Sequence, residues 1–400
     1  MKKSLVIFHM SHQYDWDAGI VNRNYHVYSA LLKSGQFDTI ISIDFLPFTR
    51  KKKIKAVLKN KFLIKGPQTV YKSSKTVVNR VEDTVFHMVS LDADDLEQAL
   101  QAVEINPEEA VFWSYNPFVS KILDKFEDSF VVFDAVDNWM EHPAYTDFVK
   151  TLEGHYDRIR KRADMIFTVS EGLIDFFGKK EHVLYIPNGV DAGHFEAGDS
   201  SKLKEQYFPK SLKEKRSSQK TTIIGYHGVI QSRVNTGIIE HIAKEKPAWD
   251  ILIAGPVWKE MQKEIDSLGS LPNVHIAGPV PYTQLPHFIN LFDAAIIPHR
   301  VDRFTNSMNP LKMYEYLAAG KPIVSTAIAG ADYFHDEIHL AVSPQDFVDG
   351  LEQVLHEDKQ ELHERRQRAV SVHSWKQRIG VMLESIERGI QEKEAKKEGK

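Results

Sequence analysis

Short apolar runs alternate with longer stretches of mixed polarity along most of the chain. Such unbroken apolar runs are typical of parallel strands that are covered by helices on both faces. The first series of predicted strands comprises Leu5–Met10, Thr39–Phe45, Val85–Ser90, Ala110–Ser114, Phe130–Ala135, Met165–Val169 and Val183–Pro187. The second comprises Thr222–Tyr226, Asp250–Ala254, Val274–Ala277, Ala294–Pro298, Pro322–Thr326 and His339–Val342. The pattern therefore predicts an α/β protein with two doubly wound sheets.

Residues 196–221 are polar and lysine-rich, and they separate the two series. We interpret them as a linker or surface excursion between a first domain, residues 1–195, and a second, residues 222–373. Two domains of about 200 residues suit a chain of this length. Apolar residues at helical spacing predict a terminal helix over residues 374–391, and they are Trp375, Ile379, Met382, Leu383 and Ile386.

Composition narrows the function classes. The formal net charge is −4 and the pI is about 6.5, which argues against nucleic-acid binding. The chain has no cysteine, which excludes disulfides, a thiolate nucleophile and cysteine-ligated zinc. The first apolar run ends at His9, so it predicts a strand rather than a signal peptide, and the sequence has no apolar stretch of about 20 residues. We expect a cytoplasmic protein.

Residues 306–324 predict a helix followed at once by a strand. Asn309 is a good N-cap, and Pro310 suits the first helical position because it has no N–H to leave unpaired. Gly320 fits the left-handed residue that ends a helix, and Pro322 prevents its continuation.

Two charges in this helix carry the candidate chemistry. Lys312 lies in the first turn, where the helix dipole disfavours a cation. A phosphate bound at the helix N-terminus would explain it, and Glu315, three residues on, would accept hydrogen bonds from sugar hydroxyls. On chemistry alone, an ordinary Lys–Glu pair on a solvated face explains the pattern equally well.

The segment Pro310–Pro322 resembles the donor-site helix of GT-B glycosyltransferases of family 4, the glycosyl transferases group 1 type. Ser307 stands where that family often has a second Glu, so the paired-Glu motif is broken. Further segments resemble the family in the expected order, namely Asp134–Asp137, Phe167–Glu171, Ile186–Asp191, Gly225–Gly228, Ile251–Pro256 and Ala277–Tyr282. The resemblance implies two Rossmann-like domains that face each other across a cleft, with the C-terminal helix crossing back to the first.

The resemblance also implies the donor-binding set. It places Lys312 near the diphosphate and Glu315 at the ribose, and adds Gly228, Arg233, Val280, Pro281, Tyr282, His299, Asn309, Pro310 and Leu311. Read without it, Gly225-x-x-Gly228 is a plain turn, Arg233 is a surface arginine at a helix start, and residues 280–282 form a simple β–α turn. Arg300 and Arg303 would fit a uronic-acid donor, because arginine binds a carboxylate through two parallel hydrogen bonds. The alternative is that these arginines serve only solubility, as in other surface loops.

The acceptor side is expected in the first domain. Asp137 is the candidate general base if the enzyme inverts configuration, with Asp134 as the runner-up, although either aspartate would also serve as a helix cap. By analogy, the loop and helix that carry Asp17, Arg23 and His26 face the acceptor, and a capped surface helix is the alternative. Asp15-Trp-Asp17 is a poor match to a metal-binding Asp-x-Asp motif, so no metal site is predicted.

The stretch from Arg50 to Lys65 is a basic amphipathic pattern in an acidic protein. Its lysines include Lys51, Lys52, Lys53, Lys55 and Lys59. Such a pattern favours contact with an anionic membrane surface, and a solvated basic loop is the alternative.

Taken together, these features predict a glycosyltransferase that moves a sugar from a nucleoside-diphosphate sugar, a UDP-sugar in the first place. The acceptor would be a lipid-linked or polymeric carbohydrate in surface-polysaccharide assembly, as in teichuronic-acid and related cell-wall transferases. No cofactor and no metal are expected. A non-catalytic relative stays open because of Ser307. A dinucleotide-dependent oxidoreductase is disfavoured because residues 9–14 contain no glycine.

Overall fold

The computed structural model describes residues 3–17, 19–49, 68–210, 212–213, 221–357 and 359–398. Its strands are β1 (Lys3–Phe8), β2 (Phe37–Ile43), β3 (Thr69–Lys72), β4 (Thr76–Glu82), β5 (Val85–Ser90), β6 (Ala110–Ser114), β7 (Phe130–Ala135), β8 (Met165–Thr168), β9 (Val183–Tyr185), β10 (Thr222–His227), β11 (Trp249–Ala254), β12 (Val274–Gly278), β13 (Ala294–Ile297), β14 (Ile323–Ser325) and β15 (Ile338–Leu340). Each strand predicted from the apolar pattern is present, and no end differs from the prediction by more than two residues.

Helices connect these strands. They are α1 (Gln13–Asp17), α2 (Arg23–Ser34), α3 (Leu96–Ala102), α4 (Ser120–Leu123), α5 (Val149–Arg162), α6 (Glu171–Phe177), α7 (Ala192–Glu196), α8 (Thr236–Glu245), α9 (Gln262–Gly269), α10 (Leu285–Ile289), α11 (Leu311–Ala318), α12 (Pro344–Glu357), α13 (Gln360–Ser371) and α14 (Trp375–Glu398). Short 3-10 turns, such as Thr305–Ser307, occur in several of the loops.

The first sheet has the strand order β3-β4-β5-β2-β1-β6-β7-β8-β9 within the described residues. From β5 to β9 all neighbours are parallel, and residues such as Val6, Phe112 and Val131 are almost fully buried because helices cover both faces. The strands β3 and β4 pair antiparallel at the edge next to β5. Sequence reasoning missed both, since β4 is buried only at its first three residues and lacks a continuous apolar run.

The second sheet has the order β12-β11-β10-β13-β14-β15 and is parallel throughout the described strands. A core lies on each face of this sheet. The helix α11 and the aromatic residues Phe288 and Phe292 belong to one core, and α8 belongs to the other. The order reverses at β10 and β13, and ligands of open α/β sheets bind beyond the carboxyl ends of strands at such a reversal.

The chain divides into two units. One comprises Met1–Asp17, Val21–Ile186 and Ile379–Lys400, and the other comprises Ala18–Ile20 and Pro187–Arg378. The division therefore falls before the 195 boundary expected from the sequence. Part of the stretch expected to be a linker belongs to the second unit, because Leu212 is fully buried in its core and Leu203 and Phe208 pack against the same core.

The C-terminal helix α14 begins in the second unit, and its residues from Ile379 onward belong to the first. Lys393 donates to Asp164 at 2.9 Å, and Lys3 pairs with Glu394 at 2.8 Å. Gly389 lies so close to Phe130 that an added Cβ would be 2.8 Å from the ring. The return of the C-terminal helix to the first domain is thus confirmed.

Candidate functional site

The helix α11 begins differently from the prediction and ends as predicted. It starts at Leu311, and Pro310 precedes it in extended conformation without a side-chain cap. The prediction that Asn309 caps the helix is wrong, because its Oδ1 accepts from the backbone N–H of Asn188 at 2.8 Å. Within the described residues, no side chain caps the first N–H groups of the helix. At the other end Gly320 has φ +66°, as expected.

Lys312 lies in the first turn of α11 and is only 6% exposed. Its Nζ is 3.4 Å from Nε2 of His299 and 5.1 Å from the centre of the Tyr226 ring. No carboxylate among the described residues forms an ion pair with it. Burial, and secondly the Arg233 guanidinium, hold the pKa of Lys312 well below its ordinary value, with Glu315 opposing them. In the part of the chain that is described, this buried amine therefore has no counter-ion.

Two glycines let Lys312 reach the end of β10. Gly228, which follows β10, has φ +121°, and an added Cβ would lie 3.2 Å from Nζ of Lys312 and 4.0 Å from the Tyr226 hydroxyl. Gly255, which follows β11, has φ +141°, and its Cβ would overlap the Gly228 carbonyl oxygen at 2.0 Å. The backbone, the amine and the hydroxyl therefore converge at the carboxyl end of the strand.

Arg233 and His299 complete this cluster. Val234 forms an isolated antiparallel β-bridge with His299. The backbone N–H of Arg300 donates to the carbonyl of Arg233 at 2.7 Å, so the loop after β10 is joined to the loop after β13. Burial, with Lys312 and Arg233 adding to it, holds the pKa of His299 well below its ordinary value, so its imidazole is neutral.

Two further polar atoms lie buried in this cluster. Burial outweighs the nearby Arg233 and raises the pKa of Tyr226 to about 12. Nε of Arg233 and the Tyr226 hydroxyl are both buried without a well-formed hydrogen bond to the described residues. The cluster therefore offers donors to an anion.

Glu315 lies one turn beyond Lys312 and is 5% exposed. Its Oε2 is 3.0 Å from Nε2 of His227, the last residue of β10. The backbone N–H of His227 donates to the Tyr316 hydroxyl at 2.9 Å, so α11 is joined to the strand end. The alternative of a Lys–Glu pair on a solvated face is thus wrong, because the Lys312 and Glu315 side chains are both buried.

The predicted segment Val280, Pro281 and Tyr282 follows β12 and is half-buried. The Tyr282 ring stacks on His194 of α7 with centroids 4.4 Å apart, and the His194 imidazole donates to the Tyr282 carbonyl at 3.0 Å. Among the described residues, no hydrogen bond or ring contact joins this segment to Lys312. Its part in base binding stays a prediction.

The acceptor-side residues lie in the first unit. Asp134 is fully buried, and Nε of Arg23 contacts its two oxygens at 3.0 and 3.1 Å. Burial raises the pKa of Asp134, and Arg23 opposes the shift. The buried pair with Arg23 gives Asp134 a structural role, and its role as a base stays a prediction.

The remaining acceptor-side residues differ in exposure. Asp137 is half-buried in the loop after β7. Asp17 is exposed and accepts from the Gln13 side chain at 3.1 Å, whereas His26 is 8% exposed on α2. Their contact with an acceptor stays a prediction.

A cluster that sequence reasoning missed lies at one end of the first sheet. Asp44 directly follows β2, and its Oδ1 accepts from His87 of β5 at 2.9 Å. Its Oδ2 lies 3.4 Å from Nδ1 of His12, in the loop after β1. The only signal in the sequence was that His12 and Asp44 follow neighbouring apolar runs.

Other predictions concern metals and membranes. In the part of the chain that is described, no group of three or more His, Asp or Glu side chains could hold a metal ion. A membrane-spanning helix is likewise not found among the described helices. The lysines assigned to membrane contact, Lys51, Lys52, Lys53, Lys55 and Lys59, lie outside the described residues.

Known proteins resemble this chain in sequence and in fold. Residues 233–384 match the model of a glycosyl transferase-like family. Over 301 residues the chain is 27% identical to TuaH of Bacillus subtilis (strain 168), which is named as a teichuronic acid biosynthesis glycosyltransferase, covering 71% of this chain and 72% of that protein.

Solved structures share the fold at low sequence identity. Sucrose-phosphate synthase of Thermosynechococcus elongatus has a TM-score of 0.70 at 12% identity, covering 97% of this chain and 99% of the other. HepE of Anabaena, solved with UDP and glucose, has a TM-score of 0.65 at 14% identity, covering 96% and 100%.

These matches define the class: the chain is a glycosyltransferase with the GT-B fold. Its glycosyl transferase-like domain spans residues 233–384, which include Arg233, His299, Lys312 and Glu315. The fold and enzyme class predicted from the sequence are confirmed, and the oxidoreductase alternative finds no support.

Proposed function

We propose that the second unit binds the diphosphate of a nucleotide-sugar, in the first place a UDP-sugar, at the cluster of Gly228, Arg233, His299 and Lys312. The observation that carries the proposal is the buried Lys312 amine, which has no counter-ion among the described residues. An unpaired buried cation is costly, and a bound phosphate would compensate for it. The uncapped N–H groups at the start of α11, from Leu311 onward, would donate to the same anion.

Glu315 would bind the ribose. Its carboxylate is the acidic group on α11, and its Oε2 lies 3.0 Å from Nε2 of His227 at the end of β10. A carboxylate at this position would accept hydrogen bonds from the two ribose hydroxyls. This assignment explains why α11 carries both a buried cation and a buried anion one turn apart.

Departure of the nucleoside diphosphate requires stabilisation of negative charge. Lys312 and Arg233, with the helix N-terminus, supply positive charge where other transferases use a metal ion. We therefore propose metal-independent transfer, with no cofactor beyond the nucleotide-sugar. Arg300 and Arg303 are exposed in the loop after β13, where they would pair with the carboxylate of a uronic-acid donor.

The proposed acceptor is a lipid-linked or polymeric carbohydrate of the cell surface. The support is the likeness to TuaH, whose name states a role in teichuronic acid biosynthesis. Membrane contact through the basic stretch after Thr49 rests on its sequence pattern alone. A non-catalytic relative is the second candidate because Ser307 donates its hydroxyl to Phe304 and supplies no carboxylate.

Calorimetric titration with UDP, GDP and NAD, in magnesium and in EDTA, tests the donor site. We expect saturable UDP binding that survives EDTA and is lost in Glu315→Ala. Equal UDP affinity in Glu315→Ala would contradict the ribose assignment. Transfer from UDP-glucose and UDP-glucuronate to isolated membranes then separates the enzyme from a non-catalytic relative, which would bind UDP and transfer neither sugar.

A further inference from the structure

Two buried asparagines are joined directly before the helix α11. The backbone N–H of Asn188 donates to Oδ1 of Asn309 at 2.8 Å, and Nδ2 of Asn188 donates to the carbonyl of Asn309. The two residues are 6% and 5% exposed, and both belong to the second unit. The pair therefore fixes the side chain and the main chain of the residue that precedes Pro310.

The backbone around Asn188 is held by residues 373–378 of the same unit. The N–H of Val190 donates to the carbonyl of His373 at 2.9 Å. Gly189 lies so close to this segment that an added Cβ would be 2.9 Å from the His373 carbonyl oxygen. Asn188 is therefore a fixed point within the second unit.

The contact with Asn188 orients the Asn309 side chain against its local preference. An asparagine directly before a proline at the helix start is a favourable N-cap, because its Oδ1 accepts from the N–H two or three residues on. Here Oδ1 accepts from Asn188 instead, and Nδ2 of Asn309 is buried without a well-formed hydrogen bond to the described residues. A buried donor left unpaired costs free energy, so the tertiary contact imposes this orientation.

A released Asn309 would compete with a phosphate for the same N–H groups. Pro310 has φ −67°, which already suits the first helical position, and ψ 121°, which keeps it outside α11. Rotation of this ψ into the helical range would let the helix begin at Pro310. Oδ1 of Asn309 would then be within reach of the N–H groups of Leu311 and Lys312.

The Lys312 amine is an independent observation that points to an anion at this end of α11. It is buried in the first turn, and within the described residues no carboxylate pairs with it. A cap from Asn309 would satisfy the N–H groups but not the amine, whereas a phosphate would satisfy both. The open helix end and the buried amine therefore suit one anion, and Asn188 acts on this place through Asn309.

We propose that Asn188 is a positioning residue of the donor site. It holds Asn309 away from the first N–H groups of α11, so that these groups stay open to the diphosphate. This proposal rests on the proposed function, since the diphosphate is the anion concerned. Asn188 acts without touching the donor, and its effect on affinity equals that of the cap it prevents, which is about 3- to 30-fold.

Calorimetric titration of the full chain with UDP and with inorganic pyrophosphate tests the proposal. In Asn188→Asp the side chain keeps its size but loses its donor, and the new carboxylate repels the Asn309 carbonyl. The affinity for both ligands should fall about 3- to 30-fold, because both carry a diphosphate. Asn188→Ala, which adds no charge, should lower the affinity in the same direction.

Asn273→Asp is the matched control in the same unit. Asn273 is 4% exposed, and its Nδ2 donates to the carbonyls of Ala243 and Trp249, both at 3.0 Å. It directly precedes β12, at the amino end of the strands, whereas the donor site lies at their carboxyl ends. Its melting temperature should fall while its UDP affinity stays at the wild-type value. An equal loss of UDP affinity in Asn273→Asp and Asn188→Asp would overturn the proposal.

The double variant Asn188→Asp/Asn309→Ala supplies a readout that a merely structural role would not move. Alanine does not cap a helix, so the N–H groups are open again, and most of the affinity lost in Asn188→Asp should return. A merely structural role predicts the opposite, because the second substitution removes a further contact. The proposal is wrong if the double variant binds UDP no better than Asn188→Asp.

A crystal structure of the free Asn188→Asp protein tests the cap without any ligand. We expect a helix that begins at Pro310, with Oδ1 of Asn309 accepting from the N–H of Lys312. An Asn309 amide that keeps its wild-type position would contradict the proposal. Failure of the proposed function has a different signature, namely wild-type protein that binds neither UDP nor pyrophosphate, and the crystal structure still decides whether Asn188 prevents the cap.

Discussion

The end of the Lys312 side chain lies beside Gly228, where a larger residue would crowd it. A Cβ at Gly228 would lie 3.1 Å from Cε and 3.2 Å from Nζ of Lys312. The lysine comes from the first turn of α11 and the glycine follows β10, so this close approach brings an amine, a helix N-terminus and the strand-end backbone to one place. Each of these binds phosphate weakly by itself, and together they form the candidate donor site.

Gly228→Ala should therefore weaken UDP binding through crowding as well as strain. Its φ of +121° disfavours any side chain, which costs roughly 1–3 kcal/mol of stability, and the new methyl would displace the Lys312 amine. Gly35→Ala is the matched control, because Gly35 has φ +60° with nothing within 4 Å of an added Cβ. Calorimetry should show reduced UDP affinity in the first variant only, and equal affinities would contradict this account.

Lys312→Met should separate stability from binding. The variant removes a buried cation without a counter-ion, so the melting temperature of the free protein should stay equal or rise. UDP affinity should fall about 10- to 100-fold, since a hydrogen bond to a charged group contributes roughly 1.5–3 kcal/mol. Lys263→Met, at an exposed lysine of the same unit, should change neither quantity. A lowered melting temperature together with unchanged UDP affinity would show that Lys312 is structural.

UDP binding should be coupled to proton uptake. Burial and Arg233 hold the pKa of Lys312 below its ordinary value of 10.5, and a bound diphosphate would raise it again. At a pH between the Lys312 pKa of the free protein and that of the complex, UDP binding takes up a proton. The affinity for UDP therefore falls as pH rises through this range. Below the free-protein pKa the affinity should not depend on this group.

Titrations in two buffers of different ionisation enthalpy measure this uptake. The apparent binding enthalpy should differ between the buffers for the wild type. In Lys312→Arg the difference should shrink, because a guanidinium stays charged throughout. Equal enthalpies for the wild type in both buffers, across the pH range, would contradict the assignment.

The two ends of α11 show what the sequence was able to predict. Gly320 was identified correctly because a left-handed helix end is a local property that glycine satisfies best. Asn309 was misassigned as a cap because its partner Asn188 lies 121 residues away. Local propensity favoured the cap, and a tertiary hydrogen bond took its place.

The difference between local patterns and tertiary contacts also explains which other residues were predicted from the sequence. Lys312 and Glu315 were found because they share a helix face, and a three-residue spacing is visible in the sequence. Asp44 is separated from His12 by 32 positions and from His87 by 43. Their meeting depends on β5, β2 and β1 being neighbours, and the apolar runs do not encode that order.

Asn309→Ala should destabilise the protein more than loss of a true cap does. The backbone N–H of Asn188 would lose its acceptor inside the protein, where an unsatisfied group costs about 1–3 kcal/mol. Asn235→Ala is the comparison, since Asn235 caps α8 by accepting from Gly237 at 3.2 Å, and that loss costs about 0.5–2 kcal/mol. Denaturant unfolding measures both, and a smaller effect for Asn309 would contradict its role as an anchor.

Asp134→Asn should lower the free energy of unfolding, because Asp134 forms a buried ion pair with Arg23. Asp134 and Arg23 have side-chain exposures of 0% and 3%, so the variant leaves a buried guanidinium without its carboxylate. Breaking such a pair costs about 3–5 kcal/mol.

Asp124→Asn is the control, because Asp124 pairs with Arg158 at 3.7 Å on the surface and its loss should cost no more than about 1 kcal/mol. The double variant Arg23→Met/Asp134→Leu should recover much of the loss, since the lone buried charge is then gone. Equal unfolding midpoints for Asp134→Asn and Asp124→Asn would show that the buried pair does not hold the first unit together.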